Sequence, residues 1–305
     1  MASDAGARTL VVGEALVDLT ESPTGLVEAH PGGSPLNVAV GLARLGVATT
    51  LAAQVGDDEY GDLVRDHVDA SEVDLRSLPP HHEDTSLAQA TLDAAGVASY
   101  RFDLVWDPDE MPAPEDFDLV HTGSIGATLA PGADAVAALV AQAHAAGVPV
   151  SYDPNVRPAI TPDLDDVRAR VDRLVAHASY VKLSDEDART LRPGLDPLAY
   201  AAEVADTGPR LVVVTRGGDG VTLLSGGTTV EVAAQRVAVA DTIGAGDSFM
   251  AALLAGLVVR GWLDRPTFDV EALEWLGTLA AQAAAITCSR PGADPPWRKE
   301  LPPLR

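Results

Sequence analysis

Short apolar runs alternate with helical stretches along most of this 305-residue chain, and that alternation leaves few folds open. Thr9-Leu-Val-Val-Gly13, residues 119–122, 148–153 and 180–183, and Leu211-Val-Val-Val-Thr215 read as strands apolar on both faces. Such strands belong in a parallel sheet covered on both sides. Residues 47–55 extend the series, with helices expected over 58–69, 133–146 (stopped by Gly147), 163–176 and 197–206. The clearest helix runs from Leu36 to Leu45, with Ser34 as its N-cap, Pro35 at its first position and Gly46 beyond its end. The pattern predicts an α/β fold: one domain over 1–305 with a doubly wound, mostly parallel sheet and helices on both faces. In such sheets ligands bind at the carboxyl ends of the strands. Residues 14–30 and 87–106 alternate polar and apolar positions instead. They read as antiparallel strands outside the main sheet, either a small lid over a site or a hairpin without a role.

Composition narrows the function. Apolar residues make up 47% of the chain but aromatics only 4%, so the core must be built from Ala, Val and Leu. A formal charge of −24 argues against nucleic acid or an anionic membrane as partner, since a basic face supplies most of that affinity. Of 21 basic residues only Lys182 and Lys299 are lysines. A single cysteine, Cys288, rules out an internal disulfide and a cysteine zinc cluster, and its apolar surroundings place it in the core. Neither a signal-like N-terminus nor a membrane-length apolar run is present, so a cytoplasmic protein is expected.

Chemistry concentrates in Asp241-Thr-Ile-Gly-Ala-Gly-Asp-Ser-Phe-Met250. The apolar stretch 251–257 reads as a buried helix, which puts Gly244, Ala245 and Gly246 at its N-terminus with free backbone amides. Such an end attracts anions. Asp247 beside it would repel a phosphate unless its task is to take the proton of a hydroxyl that attacks the phosphate. A glycine turn followed by an ordinary first-turn aspartate would explain the same letters.

Set beside Gly32-Gly-Ser-Pro-Leu-Asn37-Val-Ala near the N-terminus, this segment resembles the ribokinase/PfkB family of carbohydrate kinases. Five further pieces occur in the family's order: Gln54-Val-Gly-Asp-Asp-Glu-Tyr-Gly61, Asp153-Pro-Asn-Val-Arg157, Lys182-Leu-Ser-Asp-Glu-Asp187, Thr215-Arg-Gly-Gly-Asp-Gly220 and Arg290-Pro-Gly-Ala293. The opening Gly13-Glu-Ala-Leu-Val-Asp18 and the Asp-Pro-Asn-Val-Arg-Pro run look most like the fructokinase branch. The resemblance covers essentially the whole chain and implies a ribokinase-like fold with a β lid.

The resemblance also implies roles. Asp247 would be the general base, with residues 244–246 as the anion hole. Asp18, Gly32, Gly33 and Asn37 would bind sugar hydroxyls, which suits a carboxylate, an amide and two glycines that admit the ring. Tyr100 and Arg101 on the lid would pack on the sugar or, equally, make dimer or solvent contacts. Arg157, read as a buried guanidinium, would meet an anionic or carbonyl partner, either as a substrate or phosphate contact or as a helix-capping or sheet-closing salt bridge. Lys182, Ser184, Thr215, Gly217, Gly218, Gly220, Gly246 and Gln282 fall on the ATP side. Ser184 replaces the family's usual Asn and Gln282 its usual Asn near the adenine. Asp187, with Glu186 as an alternative, would order the water shell of Mg²⁺. Asp241, Ile243 and Gly292 resemble a K⁺ site, although Pro296 stands where some relatives offer a serine.

The implied activity is ATP-dependent phosphorylation of a primary hydroxyl, with fructose first among substrates and 2-keto-3-deoxygluconate, ribose or (aminoimidazole) riboside as alternatives. A homodimer through the lid is implied too. A dinucleotide oxidoreductase would also suit a doubly wound sheet, but Gly244-Ala-Gly246 lacks the third glycine and Gly13 starts no such turn. A non-catalytic sugar sensor would have no need of Asp247.

Overall fold

The computed structural model of the chain describes residues 6–21, 26–92 and 98–304. Strand β1 (Arg8–Val12) leads to the antiparallel pair β2 (Leu16–Glu21) and β3 (Val27–Gly32), then to α1 (Ser34–Arg44). Next come β4 (Ala48–Ala53), α2 (Glu59–Asp69), β5 (Asp74–Ser77) and a second antiparallel pair, β6 (Leu87–Leu92) and β7 (Ala98–Asp103). Then β8 (Leu119–Gly123), α3 (Gly132–Ala146), β9 (Val150–Asp153), α4 (Leu164–Val175) and β10 (Tyr180–Ser184) alternate. They are followed by α5 (Asp185–Leu191), α6 (Pro197–Asp206) and β11 (Leu211–Thr215). The hairpin β12 (Val221–Ser225) and β13 (Thr228–Val232) precedes α7 (Ala245–Val259) and α8 (Val270–Cys288).

These strands form a nine-stranded sheet in the order β13-β12-β11-β10-β9-β8-β1-β4-β5. It is parallel from β11 to β5, with β12 and β13 antiparallel at one edge. Successive residues feed opposite faces. Val11, Leu211 and Val213 enter a core shared with α1, α2, α7 and α8. Leu10, Val12, Val212 and Val214 enter a second core under α3, α4, α5 and α6. Burial on both faces explains the unbroken apolar runs, since each fully buried Val or Leu contributes roughly 1.5–3 kcal/mol. From β1 the chain moves to β4 and β5 on one side and returns to β8 on the other, so the order in which strands are added reverses between β1 and β8. A ligand cleft opens at that position in sheets of this kind.

One helix contact aims the cleft. A Cβ on Gly41 of α1 would lie 2.6 Å from the Cβ of Ala251 on α7, so the two helices meet without an intervening side chain. Ser34, Asn37 and Gly41 share one stripe of α1, as Asp247 and Ala251 do on α7, so this contact brings the two N-terminal turns together. Gly41→Val should cost about 1–3 kcal/mol through overpacking. Denaturant unfolding would check it, and an unchanged midpoint would contradict the close contact.

The second sheet has the order β3-β2-β6-β7. The expectation of antiparallel strands holds within each pair, but the pairs join through parallel β2 and β6. The long connection through α1, α2 and two core strands brings the chain back at the same end, so a hairpin geometry is impossible there. Strands β5, β12 and β13 lie outside the expected set. Cys288 is half-buried at the end of α8 rather than in the core, where its carbonyl accepts from the amides of Ala240 and Asp241. Among the described residues no helix is long and apolar enough to cross a membrane.

Candidate active site

Gly244 caps α7 in the left-handed region (φ 72). A Cβ there would also lie 2.6 Å from the Cβ of Ala293, so the turn admits only glycine. First-turn amides have no intrahelical partner. That of Ala245 turns back to the Thr242 carbonyl at 3.3 Å, which leaves those of Gly246 and Asp247 for an anion. The expected helix over 251–257 thus starts six residues earlier, at Ala245, and 244–246 form its N-terminal turn.

Asp247 is buried, 8% exposed. Ser34 Oγ donates to its Oδ1 at 2.6 Å and Asn37 Nδ2 to its Oδ2 at 2.8 Å. Burial pushes its pKa above the ordinary carboxylate value, against the pull of these two donors and of the Lys182 and Arg157 charges. A carboxylate so oriented and so disposed to take up a proton has the properties of a general base.

Ser34 corrects the sequence reading. Gly33 (φ 105), not Ser34, is the N-cap of α1, and no side chain caps this helix. The Ser34 hydroxyl is spent on Asp247 instead. Asn37 also points to Asp247, and its Oδ1 is buried with no partner among the described residues. That oxygen remains an acceptor for a ligand hydroxyl.

Around these residues the strand ends carry further acids. Glu14, just past β1, is 5% exposed and accepts from the Gly126 amide at 2.7 Å, across the β1/β8 reversal. Burial drives its pKa up to about 7, against bonds from the backbone and Ser124, and Asp247 adds to the rise. Asp153 ends β9 at 1% exposed and accepts from Lys182 Nζ of β10 at 2.6 Å. Burial lifts the Asp153 pKa to about 6 even with Lys182 opposing. Burial alone would lower the Lys182 pKa, but Asp153 more than reverses this and raises it. Ser124 (φ 54) and Asn155 (φ 41) both adopt left-handed backbone, and Asn155 Nδ2 donates to Ser124 Oγ at 3.3 Å. These two strand ends thus hold non-glycine residues in a sparsely populated backbone region beside Glu14 and Asp153.

Asp18 on β2 lies against Gly32, where a Cβ would sit 2.2 Å from Asp18 Oδ2, and a Cβ on Gly33 would sit 2.6 Å from the Glu14 carbonyl oxygen. Both glycines are therefore required, and Asp18, Gly32, Gly33 and Asn37 form one rim. Arg101 on β7 is exposed, 3.9 Å from Asp103; the side chain of Tyr100 lies outside the described residues. Arg157 is exposed rather than buried, because it follows the sheet edge instead of entering it. Its guanidinium donates to the Val156 carbonyl at 3.1 Å, and its charge is felt at Asp247.

Thr215 ends β11, and the 217–219 turn follows. Gly217 and Gly218 border open space, whereas a Cβ on Gly220 would strike the Val232 carbonyl at 2.2 Å. Gln282 is half-buried on α8. Ser184 caps α5 through a capping box with Asp187. The Oδ2 of Asp187 accepts from the amide and hydroxyl of Ser184, and its Oδ1 from the Val156 amide at 2.7 Å. Both oxygens of Asp187 are thus engaged by the protein, and Glu186 is exposed beside it. Asp241 accepts from the amides of Thr242, Ile243 and Gly292. Burial would raise its pKa, but those amides hold it below the ordinary value.

Residues 7–300 match the pfkB family of carbohydrate kinases. A fructokinase of Klebsiella pneumoniae is 33% identical over 295 residues, covering 93% of this chain and 96% of the relative. One of Salmonella typhimurium is 35% identical over 307 residues, covering 97% and 98%. Among solved structures, a fructokinase double mutant from Vibrio cholerae O395, with fructose, ADP and potassium ion bound, superposes with a TM-score of 0.79 at 28% identity, covering 95% of each chain. Aminoimidazole riboside kinase from Salmonella enterica, with aminoimidazole riboside and an ATP analog, gives 0.77 at 26%, covering 94% of this chain and 95% of the other.

Proposed function

The chain belongs to the pfkB family of carbohydrate kinases, and on that premise we propose that it is an ATP-dependent fructokinase. The observation that carries this reading is Asp247, buried in the first turn of α7 beside two open amides, with each carboxylate oxygen held by a donor from α1. The primary hydroxyl of the sugar attacks the γ-phosphorus of ATP, its proton passes to Asp247, and ADP leaves. The amides of Gly246 and Asp247 meet the charge of the transferred group. Asp18, Gly32, Gly33 and the free Oδ1 of Asn37 hold the sugar, with Arg101 covering it from the second sheet and Arg157 reaching the phosphoryl group. The 215–220 turn and Gln282 take the nucleotide. Glu186 and Asp187 would hold Mg²⁺ through its water shell, where the ion would supply positive charge beside the phosphates. Asp241, kept ionised by its three amides, suits a monovalent cation with the carbonyls of Ile243 and Gly292.

Fructose comes first because relatives at 32–35% identity across nearly the full chain are fructokinases. The aminoimidazole riboside kinase keeps riboside as the second candidate. A coupled ADP-release screen over fructose, ribose, 2-keto-3-deoxygluconate and nucleosides tests the choice. Fructose should give the highest kcat/KM, and release with none of them would overturn the kinase reading. The exposed Val27, 49% accessible on edge strand β3, supports a homodimer through the second sheet. Val27→Asp should then shift the species seen by light scattering to monomer.

Ser34→Ala removes a donor to the charged form of Asp247. A hydrogen bond donated to the charged form lowers a carboxyl pKa, so the Asp247 pKa should rise when the Ser34 hydroxyl is lost. The base works deprotonated, and its activity falls as pH drops through that pKa. The acid limb of kcat/KM should therefore move to higher pH in the variant, and a limb that stays in place would show that Ser34 does not tune the base.

A further inference from the structure

Resting on the kinase reading, the geometry points to Lys182 as a catalytic cation of the transfer step: its ammonium meets the transferred phosphoryl group from beneath the 244–246 turn, with Asp153 as its fixed counter-ion. A Cβ built on Gly246 would lie 3.4 Å from Lys182 Nζ. Because residue 246 is glycine, nothing stands between the ammonium and the turn. The ammonium is interior, 4% exposed, and carries three N–H donors. Among the described residues one of them is used, on Asp153 Oδ2 at 2.6 Å. Asp153 Oδ1 is itself buried without a partner among the described residues.

An ion pair kept for stability alone would be poorly built in this way. Buried charges repay their desolvation only when the remaining donors and acceptors are satisfied. Here two ammonium donors have no partner among the described residues, and Nζ lies beside the turn whose amides are open, which is the arrangement expected of a group awaiting phosphoryl oxygens. Residue choice agrees. Nineteen of the 21 basic residues are arginines, yet this position holds one of two lysines. A compact ammonium fits beside a helix turn where a planar guanidinium would displace it. Asp153 keeps the ammonium charged before the nucleotide arrives.

Charge on the transferred group is redistributed as the bond to ADP breaks, so a cation here should act on kcat more than on ground-state affinity. Lys182→Met should lower kcat by about 10²–10³-fold, with KM for ATP and for fructose within about threefold of wild type. Because that variant leaves Asp153 buried and unpaired, the neutral double variant Lys182→Met/Asp153→Asn accompanies it. The double variant should recover the melting temperature but not kcat. A folded double variant turning over within tenfold of wild type would overturn the assignment, as would a loss confined to the KM for ATP. Failure of the kinase reading looks different: wild type itself would release no ADP with any sugar.

Discussion

Asp247→Asn should lower kcat by between about 10² and 10⁴-fold while sugar affinity stays close to wild type. The amide has the carboxylate's size and can still accept from Ser34, which donates to Oδ1 at 2.6 Å. Its NH₂ would face Asn37 Nδ2, now donating at 2.8 Å. Asn37 resolves that clash by turning its own amide over, which presents Nδ2 in place of the unpartnered Oδ1 to the sugar hydroxyl, a group that accepts as well as it donates. The hydrogen-bonded frame therefore survives. What disappears is proton affinity: burial makes the Asp247 carboxylate hold a proton more readily than an exposed one, and an amide takes none. Loss of a buried charge also removes a desolvation cost, so the melting temperature should be unchanged or higher. Steady-state kinetics, calorimetric titration with fructose and a thermal melt separate the three effects. Turnover within tenfold of wild type would remove Asp247 from the chemistry, and loss of fructose binding would make it a ligand residue instead.

The sequence disclosed those parts of the molecule whose cause is local. Strands β8, β10 and β11 are legible because burial on both faces forces continuous apolar runs. Helix α3 is legible because Gly147 takes the left-handed position that ends it. Asp247 stands out because a carboxylate at an anion-binding turn is electrostatically odd. Parts that depend on distant partners are not legible in this way. Ser34 before Pro35 has the letters of a helix cap, and only the Gly41–Ala251 contact turns its hydroxyl to Asp247, 213 residues away. Glu14 sits in an ordinary strand end until Gly126 closes over it. Lys182 and Asp153 lie on separate strands, and their pairing follows from sheet order, which no single run of residues states. Arg157 follows a buried strand in sequence, but β9 ends at Asp153 and the chain has left the sheet by the time it reaches Arg157. The β12–β13 hairpin did carry a signal, Gly226-Gly227 between alternating residues, with both glycines at positive φ.

Gly246→Val isolates the anion hole from the fold, and it should reduce kcat by about 10³-fold with little change in stability. Gly246 is not among the glycines at positive φ, so a side chain needs no strained backbone there. The first atom it adds would meet only Lys182, with Nζ at 3.4 Å and Cε at 3.9 Å, at the free end of a flexible side chain. The β-branched methyl groups would then occupy the space in front of the open amides, where the transferred group must lie. Losing one such donor costs 10²–10³-fold in kcat, and here the amides of Gly246 and Asp247 and the path to Lys182 are obstructed together. Gly244→Val provides the contrast. It combines a φ of 72 with a 2.6 Å clash against Ala293, so it should unfold the turn and lower the melting temperature along with activity. If Gly246→Val kept full turnover, phosphoryl transfer could not take place at this turn; if it melted as early as Gly244→Val, its loss of activity would say nothing about the anion hole. The expected pair of results, a folded inactive protein beside a destabilised one, assigns the 246 position to catalysis and the 244 position to the turn that presents it.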